Sequence, residues 1–370
     1  MQQTAELWSL SANVGDLHHG DGNPYFDIET SRMGDLSHTS TRFFIFDHGA
    51  IVDQLAARPL VKRLAAGFRS AAAVVREGAA FGYFRHAWRF GLFFVFPFLL
   101  VALAMMLSVA LMTYPLWMGL GLWHYPIGIA LGLLFFIKLF IPWSNRFHTL
   151  HLFSDWEMAV AVSRLDNQAI NEWIEASAKS ARQAFELPAD EYVVSSHSMG
   201  SSMAAHTIGL LLEREPDLFE GKRVVFVTLG GATLQCALLR SAEVLRARIG
   251  AIARAKPVVW LEVQCLTDII SFYKSSVTAL TGHPDVARPR LVFLRIRKML
   301  SPERYQRIKL DFLRVHRQYV LASDQRSNFD FGLMTAGPLP AASFESFSGD
   351  RAPEAEIGCS AAAVERKTDF

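Results

Sequence analysis

Residues 193–204 read Val193-Val194-Ser195-Ser196-His197-Ser198-Met199-Gly200-Ser201-Ser202-Met203-Ala204. The first half completes a short β-favouring run over 191–195, and the second half opens a helical pattern over 199–212. Ser198 stands at the junction, with a small residue two before it (Ser196) and two after it (Gly200). A strand that turns straight into a helix crowds those two positions and pushes the central residue out at the tip in a strained conformation. Valine at 200 is therefore expected to block the turn. A serine here is either an exposed nucleophile or an ordinary helix N-cap; the strand–turn–helix setting favours the nucleophile.

Outward from this junction the chain alternates. Helical spacing over 167–185 puts Ile170, Trp173, Ile174, Ala178 and Ala181 on one face. Apolar runs over 223–229, 258–263 and 290–296 read as strands, with a helix over 238–253 and a short strand over 147–153. Largely apolar strands alternating with helices predict an α/β fold, a mainly parallel sheet with helices on both faces.

The junction resembles the nucleophile elbow of the α/β-hydrolase superfamily, whose usual pattern is Gly-x-Ser-x-Gly; Ser196 stands where the first glycine would be. The resemblance implies a Ser-His-Asp triad in the chain order nucleophile, acid, histidine. Asp268 lies just beyond the strand 258–263 and is the candidate acid, with a helix N-cap as its plainer role; Glu262, inside that strand, is a poorer candidate. His316 is the one histidine after the strand 290–296, in a segment of helical periodicity, and is the candidate general base. His197 is too close in sequence to Ser198 to orient as its base, His206 reads as a core residue two turns into the helix, and His283 is a further rival. The resemblance also implies two oxyanion donors. One is the N–H of Met199. The other is the N–H of Gly49 or Ala50 in Asp47-His48-Gly49-Ala50, a stretch that equally fits a plain turn. The resemblance covers about residues 41–50 and 147–335. The whole chain is similar to a little-characterised group of membrane-embedded bacterial α/β-hydrolase-like proteins, which implies an inner-membrane location.

The membrane part is read from charge. Charged residues make up only 19% of the 370, and the deficit is local: from Phe90 to Ile137 there is no Asp, Glu, Lys or Arg. A spanning helix takes about 20 apolar residues, so the run predicts a two-helix transmembrane hairpin within 90–143, with helices over about 90–112 and 120–140. Tyr114, Trp117, Trp123 and Tyr125 cluster at its turn, while Trp88 and Trp143 mark the other ends, as interfacial aromatics do. Arg58, Lys62, Arg63, Arg69, Arg76, Arg85 and Arg89 precede the hairpin, Lys138 and Arg146 end it, and the turn has no basic residue. The positive-inside rule puts both flanks, both termini and the α/β domain in the cytoplasm. The segment 52–85 is either an ordinary amphipathic helix or one lying against anionic headgroups.

The remaining stretches complete the organisation. Residues 1–40 are polar and read as a flexible N-terminus in which His18-His19 carries no metal. Residues 41–89 hold a buried first strand (42–46) and the basic helix, 144–338 the main α/β-hydrolase-like domain, and 339–370, rich in Pro, Ala, Ser and Glu, a disordered tail. Lys plus Arg number 37 against 35 Asp plus Glu, so no basic excess points to nucleic acid. Cys236, Cys265 and Cys359 have no zinc or disulfide spacing, and the first two read as core thiols. The expected function is that of a membrane-anchored serine hydrolase acting on an acyl ester, with a lipid as one such substrate, with the bilayer as partner and no metal or organic cofactor. The alternative is an inactive descendant serving as a membrane-tethered interaction platform. A channel is disfavoured because the apolar run has no charged residue before Lys138 to line a polar path.

Overall fold

Val224-Val225-Phe226-Val227-Thr228-Leu229 is apolar on both faces and is buried throughout, as a strand covered from both sides must be. It forms β5, the second strand of a parallel sheet in the order β4-β5-β6-β7, with β4 Tyr192–His197, β6 Val258–Cys265 and β7 Arg290–Leu294. The register places Thr228 beside Ser196 and Glu262, and Val263 beside Leu229 and Val292. The computed structural model describes residues 1–19, 22–32 and 38–349. The chain divides into two compact units, one of 1–47, 171–238 and 242 onward, the other of 48–170 with 239–241.

In the first unit, one face of the sheet presents Val225, Val227, Leu229, Leu261, Val263, Cys265, Val292 and Leu294 to a single core. Helix Gly200–Arg214 follows β4 and packs against helix Glu243–Arg254. Arg248 bridges the two, bonding the Glu213 carboxylate at 2.9 and 3.0 Å and His206 Nδ1 at 3.0 Å. His206 is thus a satisfied core residue, as expected. A Cβ on Gly209 would lie 2.3 Å from the Arg248 Cβ, so only glycine admits this approach. Cys236 and Cys265 are buried and unbridged.

Both ends of this unit differ from the expectation. The polar N-terminus carries a helix, Gln2–Trp8, and a separate antiparallel sheet, β1 Leu10–Val14, β2 Tyr25–Arg32 and β3 His38–Phe44. The expected first strand of the parallel sheet is the end of β3, whose residues alternate between exposed and half-buried; Arg42 pairs with Asp27 across the strands at 2.8 Å. Antiparallel strands need only one covered face, so polar residues fill the other, which gave the segment its look of disorder. Ala5, Trp8 and Leu10 enter the same core as the parallel sheet. At the other end, Leu339, Ala341, Phe344 and Phe347 are also buried there, and Trp8 meets Phe347 with ring centroids 5.4 Å apart. Ordered chain therefore continues into the segment expected to be disordered; the rest of that expectation, together with Cys359, lies outside the described residues.

The second unit is helical. The single helix expected over 52–85 is three: Gly49–Ala56, Leu60–Arg76 and Ala79–His86. Pro59 caps the second and Gly78, at φ +83°, admits the bend before the third. The expected strand over 147–153 is instead the start of helix Thr149–Arg164. Its Leu152, Phe153, Trp156, Ala159 and Val160 follow helical spacing and are buried, with Trp156 among Tyr83, Phe90 and Phe94. Two helical stretches, Trp88–Trp117 and Leu122–Phe147, are long and apolar enough to cross a membrane. They pack closely at Gly128 and Gly132: a Cβ at 132 would lie 2.6 Å from the Ser108 carbonyl oxygen, and Ser108 Oγ donates to Gly132 O at 2.8 Å.

Candidate active site

β4 delivers His197 and Ser198 to the end of the parallel sheet, and helix Gly200–Arg214 begins two residues later. Ser198 has φ +55°, the left-handed region that a side chain occupies only under strain. Its N–H donates to Leu229 O at 3.1 Å, while its carbonyl accepts from Ser201 N at 3.0 Å and Ala232 N at 3.3 Å. The turn is thus over-determined by the neighbouring strand end and the first helical turn. Ser196, in place of the first glycine, is accommodated because its hydroxyl donates to Val227 O at 3.2 Å. The expected crowding at Gly200 is absent: a Cβ there meets no atom within 4 Å. The tight position is Gly230, at φ +53°, where a Cβ would lie 2.6 Å from Tyr319 Cε2 and 3.1 Å from His316 Cε1. The Leu229-Gly230 backbone therefore borders both Ser198 and His316.

Asp268 follows β6 and is 2% exposed. It caps no helix, since the next one, Val277–Leu280, starts well beyond it. Instead Oδ1 accepts from Ile270 N at 3.0 Å, a tight turn of its own making. Oδ2 accepts from His316 Nδ1 at 2.9 Å and from Tyr319 OH at 3.0 Å. A carboxylate that accepts from Nδ1 keeps a proton on that nitrogen, so in the neutral ring it is Nε2 that presents the lone pair. His316 sits in the last turn of helix Phe312–Arg317 and is 3% exposed. Its Nε2 is buried and has no hydrogen-bond partner among the described residues. Ser198 and His316 are brought to one end of the sheet, but no hydrogen bond joins Ser198 Oγ to Nε2.

Two residues complete the cluster. His197 Nε2–H donates to the backbone carbonyl of His316 at 2.9 Å, with ring centroids 4.5 Å apart. Burial, with the neighbouring His316 adding to it, pushes the His197 imidazole down to about 4, so it is uncharged near neutrality. Tyr319 is fully buried; burial and then the Asp268 charge hold its phenol well above the usual value, so it remains a donor. Helical spacing of a tyrosine three residues after the candidate base was the available sequence signal for Tyr319. His197 gave none, because its partner is a backbone carbonyl 119 residues away.

Glu262 and His283 fall elsewhere in the first unit. Glu262 points from the middle of β6 into a cavity of about 40 Å³ lined also by Lys274, Ser275, Ser276 and Arg288, and burial pushes its carboxyl up to about 7. His283 bonds the Arg246 carbonyl at 2.8 Å. Met199, the residue after Ser198, is the N-cap of its helix, so its N–H is among those a helix start leaves for outside acceptors. Gly49 and Ala50 open helix Gly49–Ala56 of the second unit, where His48 is the N-cap; a helix start stands where a loop was expected. Among the described residues no group of His, Cys, Asp and Glu side chains is arranged to hold a metal ion. The chain matches no protein-family model, no curated protein and no solved structure.

Proposed function

We propose that the protein is a membrane-anchored serine hydrolase of acyl esters. The observation that carries the reading is the buried Asp268–His316 pair, whose outer nitrogen has no partner among the described residues, beside a serine held in a strained strand-to-helix turn. In this reading Ser198 Oγ attacks the ester carbonyl as its proton passes to His316 Nε2. Asp268 holds the imidazole and stabilises the cation formed. The Met199 N–H, at the start of its helix, supports the negative charge of the tetrahedral intermediate. His316 then gives the proton to the leaving alkoxide, leaving an acyl-serine. A water that loses its proton to His316 then attacks the acyl carbon, and His316 returns that proton to Ser198 Oγ as the carboxylic acid leaves. The fold in which we place this chemistry is that of the α/β hydrolases: the chain order of Ser198 after β4, Asp268 after β6 and His316 beyond β7 of a parallel sheet supports it. The two long apolar helices favour a lipid ester as substrate, and the basic residues flanking them favour an inner-membrane protein with both ends in the cytoplasm.

One observation favours the second reading, a platform without activity: Ser198 Oγ makes no hydrogen bond to His316 Nε2. Substrate-free hydrolases often hold this contact long and close it on binding, so the two readings separate by assay. The purified protein in detergent should hydrolyse p-nitrophenyl acyl esters, and Ser198→Ala should abolish turnover. Turnover absent across short and long acyl chains favours the platform.

A further inference from the structure

His316 is held at one end by Asp268, and its other ring nitrogen is buried without a hydrogen-bond partner among the described residues. What fixes the backbone that carries it is a separate question, because it sits in the final turn of a helix of only six residues, Phe312–Arg317. Such a short helix has little stability of its own, so the position of the ring depends on tertiary ties. The carbonyl of His316 meets one: the His197 Nε2–H, at 2.9 Å. A carbonyl only accepts, so His197 carries its proton on Nε2. His197 is also the covalent neighbour of Ser198. Its ring lies 4.5 Å from that of His316 at 38°, and 6.0 Å from that of Tyr319. One residue thus connects the backbone of the serine to the backbone of the histidine.

We propose that His197 is a positioning residue that sets the distance between Ser198 and His316, acting through its hydrogen bond to the His316 carbonyl. Its catalytic consequence rests on the serine-hydrolase reading; the geometric tie does not. The role requires an uncharged ring. The charged or titratable groups that act on it are His316, Asp268 and Arg317, and burial with the first of these keeps it neutral down to about pH 4. A protonated His197 would put a second cation against the imidazolium formed during acyl transfer. Its function here is to donate a hydrogen bond, and it has no part in moving the substrate's proton.

The test compares His197→Phe, which keeps a ring but donates nothing, with His197→Gln, whose amide N–H reaches as far as Nε2, and His197→Asn, whose amide stops short. Two readouts are taken on the full chain in detergent: the rate of labelling by a fluorophosphonate, and the downfield imidazole N–H resonance of His316 in histidine-selective NMR, which reports the Asp268 bond. A hydrogen bond of this kind is worth about a factor of 10, and misplacing a reacting group by about 1 Å costs up to ~100-fold. The phenylalanine and asparagine variants should stay folded at the assay temperature, label at least ~10-fold more slowly and lose the resonance to exchange. Glutamine should restore both. Phenylalanine labelling at the wild-type rate with the resonance intact overturns the proposal. So does equality of asparagine and glutamine, which remains decisive if phenylalanine fails to fold. If wild type is not labelled at all, the hydrolase reading fails, and the resonance alone decides: retained in the phenylalanine and asparagine variants, it overturns the tie; lost there and kept with glutamine, it upholds it.

Discussion

Asp268 Oδ2 accepts two hydrogen bonds, one from His316 and one from Tyr319, in a site where it is 2% exposed. Tyr319 therefore has the job of keeping the carboxylate aimed at the ring. Removing its hydroxyl takes away one donor of about 1–2 kcal/mol, so Tyr319→Phe should slow ester hydrolysis about 10-fold at unchanged substrate affinity and with the fold intact. Asp268→Asn, which leaves the imidazole in the wrong tautomer, should cost about 10⁴-fold in such a triad. Glu262 gives a prediction of a different kind. Burial pushes its carboxyl up to about 7 from a usual 4.5, so between those values the folded chain keeps a proton that the unfolded chain releases. Stability attributable to this group is full below about pH 4.5 and falls as pH rises toward 7, beyond which the buried charge costs about 3 kcal/mol. Glu262→Gln should raise the melting temperature at pH 8 by several degrees and change it little at pH 4.5; the same shift at both values would mean the carboxyl titrates normally. The candidate site was legible where chain order and residue type carried a chemical expectation, as for Asp268 and His316, which the structure pairs, and for the strained turn at Ser198. They were not where a role is made by contact alone. Gly230 is indispensable because Tyr319 and His316 crowd it, and Gly200, the position the motif singled out, stands in open space.

Strands and helices of the parallel sheet were legible for a similar reason: each repeats one periodicity, and β5 is buried on both faces. The misread elements each hide a partner far away in sequence. Residues 1–40 look polar because their strands need only one covered face. The segment 339–349 looks featureless because four buried apolar side chains are spread through Pro, Ala and Ser. The segment 147–153 reads as a strand, whereas His148, at φ +52°, divides it: Phe147 ends the preceding helical stretch and Thr149 opens helix Thr149–Arg164. The N-terminal helix is thus an integral layer of the first unit. Trp8, 3% exposed, packs on Phe347 and under Arg326, whose guanidinium carbon is 5.2 Å from its ring. Trp8→Ala should cost about 3–5 kcal/mol, seen as a lower midpoint in chemical denaturation. An effect below about 1 kcal/mol would mean that the N-terminal layer is dispensable.

The chain carries a parallel sheet with the candidate site at its end in one unit and, in the other, two helices apolar enough to cross a membrane. The proposed orientation rests on basic residues that flank the hairpin and are missing from its turn. A cysteine placed at Gly119 should be labelled by a membrane-impermeant maleimide from outside intact cells, and a reporter fused after Phe370 should be cytoplasmic. An extracytoplasmic reporter would reverse the orientation without touching the site. The central claim, that Ser198 is activated by His316, is tested most directly by the position of a covalent adduct. Membranes containing the protein are treated with a fluorophosphonate and the adduct is mapped by peptide mass spectrometry. Modification is expected at Ser198 and at none of Ser195, Ser196, Ser201 and Ser202, with loss of the adduct in Ser198→Ala and a reaction slower by at least about 10²-fold in His316→Ala. Folded, membrane-bound protein that carries no adduct, or carries it on another serine, would contradict it.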